Sequence, residues 1–107
     1  MLNDTTAAQY QCDLTSLNVV QRKRRAQLAS EIWPQSLEQR ELPTGYEFRF
    51  EFNPSLFGNI AELVALEHLC CPFFEIALKL EKNSGPLWLQ ITGDSGVKRF
   101  LRAEMNH

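Results

Sequence analysis

From Tyr46 to Phe52 the chain alternates without a break: Tyr46, Phe48, Phe50 and Phe52 fall on one side, Glu47, Arg49 and Glu51 on the other. Successive side chains of a strand point to opposite faces, so this run predicts a strand with one aromatic face and one charged face. A sheet built on such a strand must be covered on its aromatic face only. The rest of the chain offers suitable partners. Leu37 to Leu42 reads as a preceding strand, turned by Pro43, Thr44 and Gly45. Phe74 to Leu80 and Leu87 to Ile91 read as a second hairpin, turned at Asn83 to Gly85, with Ile76, Leu78, Leu87, Leu89 and Ile91 among its apolar positions.

Three segments carry helical periodicity. Asn18 is a candidate cap for a helix reaching Trp33, with Pro34 as its stop and Leu17, Val20, Leu28 and Ile32 on one face. Asn53-Pro54 marks a second start, because proline's missing N–H costs nothing in a first helical turn. That helix runs to about Cys70 before Pro72, with Leu56, Ile60, Leu63, Val64 and Cys71 in its stripe. Gly93 to Gly96 turn the chain into a third, whose stripe is Val97, Phe100, Leu101 and Met105. The expected fold is an α+β two-layer sandwich in the order α-ββ-α-ββ-α, an antiparallel sheet of about four strands under three helices. Residues 12–107 form the single domain. Residues 1–11 read as a loose arm, although Tyr10, Cys12 and Leu14 alternate in the manner of a short strand.

A chain of 107 residues with 44% hydrophobic and 22% charged residues suits one folded domain with a real core. No apolar run approaches the ~20 residues that cross a bilayer, and no signal-peptide pattern opens the chain. The net charge of −2 gives no general attraction to nucleic acid or anionic lipid. Arg22, Lys23, Arg24 and Arg25 are a local exception, but four consecutive helical residues spread around the helix and make a poor single patch. Three cysteines, two of them adjacent, do not form the even, spaced framework of a secreted disulfide scaffold. Cys70 and Cys71 read as thiols, since a bridge between sequence neighbours closes a tight ring. These features point to a cytoplasmic protein, and the sheet's second face or edge is suited to a homo-oligomer.

The chemistry concentrates at Glu67, Cys70 and Cys71. A carboxylate at the centre of an apolar stripe needs a cation, hydrogen bonds or a proton of its own. Cys70 and Cys71 follow at the three- and four-residue spacing that sets side chains beside Glu67. Two thiols with a carboxylate suit a soft metal ion, with Cys12 as a third sulfur if the N-terminal segment folds back. They also suit a nucleophile and resolving thiol, with Glu67 moving the proton. His68 lies about 100° round the helix and is a poorer ligand. The competing reading is structural: buried cysteine behaves as a small hydrophobe, a helix C-terminus disfavours a thiolate, and Arg24 is the ion-pair partner expected for Glu67. In that case the chain is a non-enzymatic ligand-binding or assembly module, with Trp88, opposite in phase to Leu87 and Leu89, either covering the second sheet face or marking the contact surface. Gly93-Asp94-Ser95-Gly96 has the look of a serine-nucleophile string, but reads as a turn and helix cap.

The string from Glu67 to Phe74, Glu-His-Leu-Cys-Cys-Pro-Phe-Phe, followed by Ile91-Thr-Gly-Asp-Ser-Gly96, resembles a group of small bacterial proteins. Similar segments occur appended to metal-responsive regulators and near mercury or other heavy-metal functions. The resemblance spans roughly residues 40–102 and rests on Glu67, Cys70, Cys71 and Pro72. It implies a bacterial protein that binds a thiophilic metal or metalloid. No DNA-recognition motif accompanies those residues in this sequence, so regulation by direct DNA contact is not expected.

Overall fold

The computed structural model describes residues 12–105. The arm assigned to residues 1–11, Tyr10 of its candidate strand, and the side chain of Met105 lie outside the described residues. The described chain forms β1 (Glu38–Leu42), β2 (Gly45–Phe50), β3 (Glu75–Leu80) and β4 (Leu87–Thr92), with α1 (Val19–Ile32), α2 (Pro54–Cys70) and α3 (Ser95–Met105). The fold is thus the expected α+β sandwich, in the expected order.

Local chemistry fixes the helix ends. Asn18 accepts from the N–H of Gln21 at 2.8 Å while the Gln21 side chain accepts from the N–H of Asn18 at 2.9 Å, a reciprocal capping box. Asn53 accepts from the N–H of Leu56 at 2.7 Å, with Pro54 in the first helical turn. Asp94 accepts from the N–H of Val97 at the head of α3, so the Gly93–Gly96 string is a turn and cap. The expected strand through Cys12 and Leu14 does not form: Leu14–Ser16 is a 3₁₀ turn, with Asp13 accepting from the N–H of Thr15 at 3.0 Å.

All strand pairs are antiparallel, and the order across the sheet is β1-β2-β4-β3. The registers align apolar rows: Tyr46, Ile91 and Ile76 stand abreast, as do Phe48, Leu89 and Leu78, and Phe50, Leu87 and Leu80. These rows face the helices, where Phe50, Leu28, Ile32, Ile60, Leu63 and Leu87 are fully buried. Burial of a large apolar side chain contributes about 1.5–3 kcal/mol, so this shared layer dominates the fold's stability. Gly45 is required where β2 meets β4, because a Cβ there would clash with the Ile91 carbonyl oxygen.

The other sheet face is polar. Glu38 pairs with Arg40 at 2.8 Å and with Arg49 at 2.9 Å, and Gln90 donates to Glu47 at 2.9 Å. Trp88 sits within this layer under the Arg40 guanidinium, 4.4 Å from the ring centroid, and its indole N–H donates to Glu81 at 2.6 Å. It is only 4% exposed, so it is not the open contact surface expected from the sequence. Its burial follows from β4 being a central strand, flanked by β2 and β3. Val20 and Phe52, placed in apolar stripes by their phase, are exposed, because Val20 faces away from α2 and Phe52 lies beyond the end of β2.

Candidate functional site

The last turn of α2 carries Glu67, Cys70 and Cys71 to the point where the segment leading into α1 crosses it. The N–H of Asp13 donates to the Cys70 carbonyl at 2.8 Å, which holds Cys12 against the helix end. The N–H of Cys71 donates to the Glu67 carbonyl at 2.7 Å, so Cys71 keeps its position in the helical ladder despite Pro72. Cys12 is therefore the third sulfur of the site, as the sequence allowed.

The state of the sulfurs differs from the expectation of a thiol pair. Cys71 is joined to Cys12 in a disulfide, and Cys70 alone is a free, fully buried thiol. The adjacent cysteines diverge because they follow one another on a helix end, so only Cys71 meets the crossing segment. The Cys70 and Cys71 Sγ atoms remain 3.5 Å apart. Since a disulfide sulfur carries no hydrogen, the only donor in that contact is the Cys70 S–H. Burial pushes the Cys70 thiol up from its ordinary range, and the Glu67 charge adds to the effect against a weaker opposing pull from Arg25. Cys70 is thus held as a protonated thiol and is not an activated nucleophile.

Glu67 has a cation, but not the expected one. Arg25 Nε lies 2.9 Å from Glu67 Oε1, whereas Arg24 grips Glu62 through two hydrogen bonds of 2.8 and 2.9 Å. The Arg25 N–H does not point along its ion pair: Nε is shielded from solvent and has no hydrogen-bond partner among the described residues, so the attraction is Coulombic. The exposed Val20 explains the misassignment. Counting it in the stripe of α1 displaces the stripe's centre toward Arg24. Without it, Leu17, Leu28 and Ile32 leave Arg24 and Arg25 flanking the centre on opposite sides. Arg22 is also engaged within the chain, donating to the Leu17 carbonyl at 3.2 Å, which disperses the basic run.

The second carboxylate oxygen of Glu67 lies 3.3 Å from Cys71 Sγ. One oxygen of Glu67 thus serves Arg25 and the other faces the disulfide. Ligand atoms of Cys12, Glu67 and Cys71 all fall within 4.8 Å of one another. Two sulfurs and a carboxylate oxygen are a donor set for a soft ion once the sulfurs are thiolates; while they are bonded to each other they are poor ligands. Cys70 stands behind this group, and Trp88 is on the opposite face of the sheet.

Beside the site, between the helices and the sheet, lies a cavity of about 690 Å³. Phe48, Leu63, Ile76, Leu89 and Phe100 are among the residues that line it, and Cys12, Arg25 and Glu67 also form part of its wall. That volume is within the range of small-molecule pockets. No periodicity argument could locate it, because it arises from how the layers sit together. No helix among the described residues is long and apolar enough to cross a membrane. No family model, curated protein or solved structure matches the chain.

Proposed function

We propose that this protein is a small thiol-based binding domain that, with its disulfide opened, holds a thiophilic metal or metalloid ion through Cys12, Cys71 and Glu67. The observation carrying this reading is the convergence of those three ligand atoms within 4.8 Å. Reduction supplies two thiols, binding displaces their protons, and Glu67 Oε2 contributes the oxygen already beside Cys71. Arg25, 2.9 Å from the other carboxylate oxygen, orients the carboxylate. Cys70 is a neighbour of the site and not a ligand, since its buried thiol resists ionisation.

The test is titration of the phosphine-reduced protein with cadmium, followed by thiolate-to-metal absorption. One ion per chain is expected, with binding lost in Cys12→Ser and Cys71→Ser and retained in Cys70→Ser. Equal binding by the oxidised protein, or by a Cys12→Ser, Cys71→Ser double variant, would sink the idea. A second reading, a ligand-binding module in which the sulfurs are scaffold, is supported by the apolar cavity. Association of copies through the sheet edges β1 and β3 is compatible with either reading.

A further inference from the structure

The two ends of the disulfide live in different surroundings. Cys71 is fully buried beside Glu67 and Cys70, whereas Cys12 is only partly buried and lines the cavity. In thiol–disulfide exchange the sulfur that can be reached is the one attacked, and the other leaves. The cavity wall is aromatic and aliphatic at Phe48, Leu63, Ile76, Leu89 and Phe100, so it selects an apolar reactant. We propose that the cavity is the entry site for a small apolar, aromatic thiol that opens the disulfide by attack on Cys12, making the protein a thiol–disulfide exchange centre. This extends the metal-binding reading by naming what opens its site, and the two are tested separately.

The thiol R–SH gives its proton to solvent, and R–S⁻ forms a bond to Cys12 Sγ. The Cys12–Cys71 bond breaks and its electron pair departs with Cys71 Sγ. That thiolate forms 3.5 Å from the Cys70 sulfur, whose S–H is the donor that stabilises it until it takes a proton from solvent. A second R–S⁻ then attacks the R sulfur of the mixed disulfide, releasing R–S–S–R and the Cys12 thiolate, which is protonated. Two thiols are oxidised and one protein disulfide is reduced.

The experiment compares reduction of the oxidised wild-type protein by benzyl mercaptan and by 2-mercaptoethanol, thiols of similar acidity, so that their rates report access. Benzyl mercaptan is expected to react at least about tenfold faster, reflecting burial of its ring. With limiting thiol, acid quench and peptide mapping, the mixed disulfide is expected on Cys12 with Cys71 free. A Val64→Trp variant, which fills part of the cavity, is expected to remove the preference. Equal rates with wild type, or an adduct on Cys71 or Cys70, would overturn the proposal; both readouts use the native chain, so they stand even if Val64→Trp fails to fold. Because the cadmium titration starts from phosphine-reduced protein, failure here leaves the metal site untouched, and the converse also holds.

Discussion

Arg25 Nε lies 2.9 Å from Glu67 Oε1, and this pair, joining α1 to the end of α2, is what allows a carboxylate to sit in an apolar stripe. Both side chains are mostly shielded, at 27% and 20% exposure, so loss of Arg25 leaves Glu67 only partly solvated. Arg25→Met should destabilise the fold by about 1–3 kcal/mol, below the cost of breaking a fully buried pair. Arg24→Met, which breaks the more exposed pair with Glu62, should cost less than Arg25→Met. Urea unfolding of the two variants checks the order, and a larger loss for Arg24→Met would contradict it.

The Cys12–Cys71 link closes a loop across 59 positions of sequence. By chain-entropy reasoning, opening a loop of that size costs about 4 kcal/mol. Cys12→Ser should therefore lower the urea midpoint substantially, and added reductant should then have little further effect on it. Wild type should fall toward the same midpoint when reduced. A reduced wild type as stable as the oxidised one would show that the link contributes nothing.

Gly45 and Gly58 should respond to the same substitution in opposite directions. An added Cβ at Gly45 meets the Ile91 carbonyl between two central strands, whereas at Gly58, inside α2, it meets nothing within 4 Å. Gly45→Ala should destabilise by more than about 2 kcal/mol, and Gly58→Ala should stabilise by about 0.5–1 kcal/mol through helix propensity. Thermal melts of the pair are sufficient to decide.

Cys70 gives a pH dependence of known sign. Its folded-state thiol is raised above the reference value of 9.0. Its contribution is intact below that value. As pH climbs past it, the unfolded chain loses its proton first, so stability falls until the folded thiol also titrates. Cys70→Ala should flatten this alkaline decline, by at most about 1.4 kcal/mol per pH unit. Denaturant unfolding of both proteins across the alkaline range measures the difference, and parallel curves would refute it.

Elements governed by local chemistry were legible in the sequence. Asn18 and Asn53-Pro54 correctly marked two helix starts, and the alternation expected from Tyr46 to Phe52 marked a one-sided strand that ends two residues earlier, at Phe50. What was not legible depended on relations between distant segments. Strand order decides that Trp88 is central and covered, and no periodicity within Leu87–Thr92 encodes it. At the site, the helical phase correctly grouped Glu67 with Cys71, but the partner of each came from elsewhere in the chain: Arg25 for one, Cys12 for the other. The choice between Arg24 and Arg25 turned on one exposed valine.

The position of β4 also has a consequence for the order in which the molecule can be assembled during synthesis. Its neighbours β2 and β3 are both made before it and do not touch one another. A nascent chain that has emerged only to Pro86 carries β2 with one free edge and β3 with no neighbour on either side. Such edges invite pairing with other chains. Emergence of Leu87–Thr92 closes that interval by joining both at once, so completion of the four-stranded sheet waits on the last of the described strands to be made.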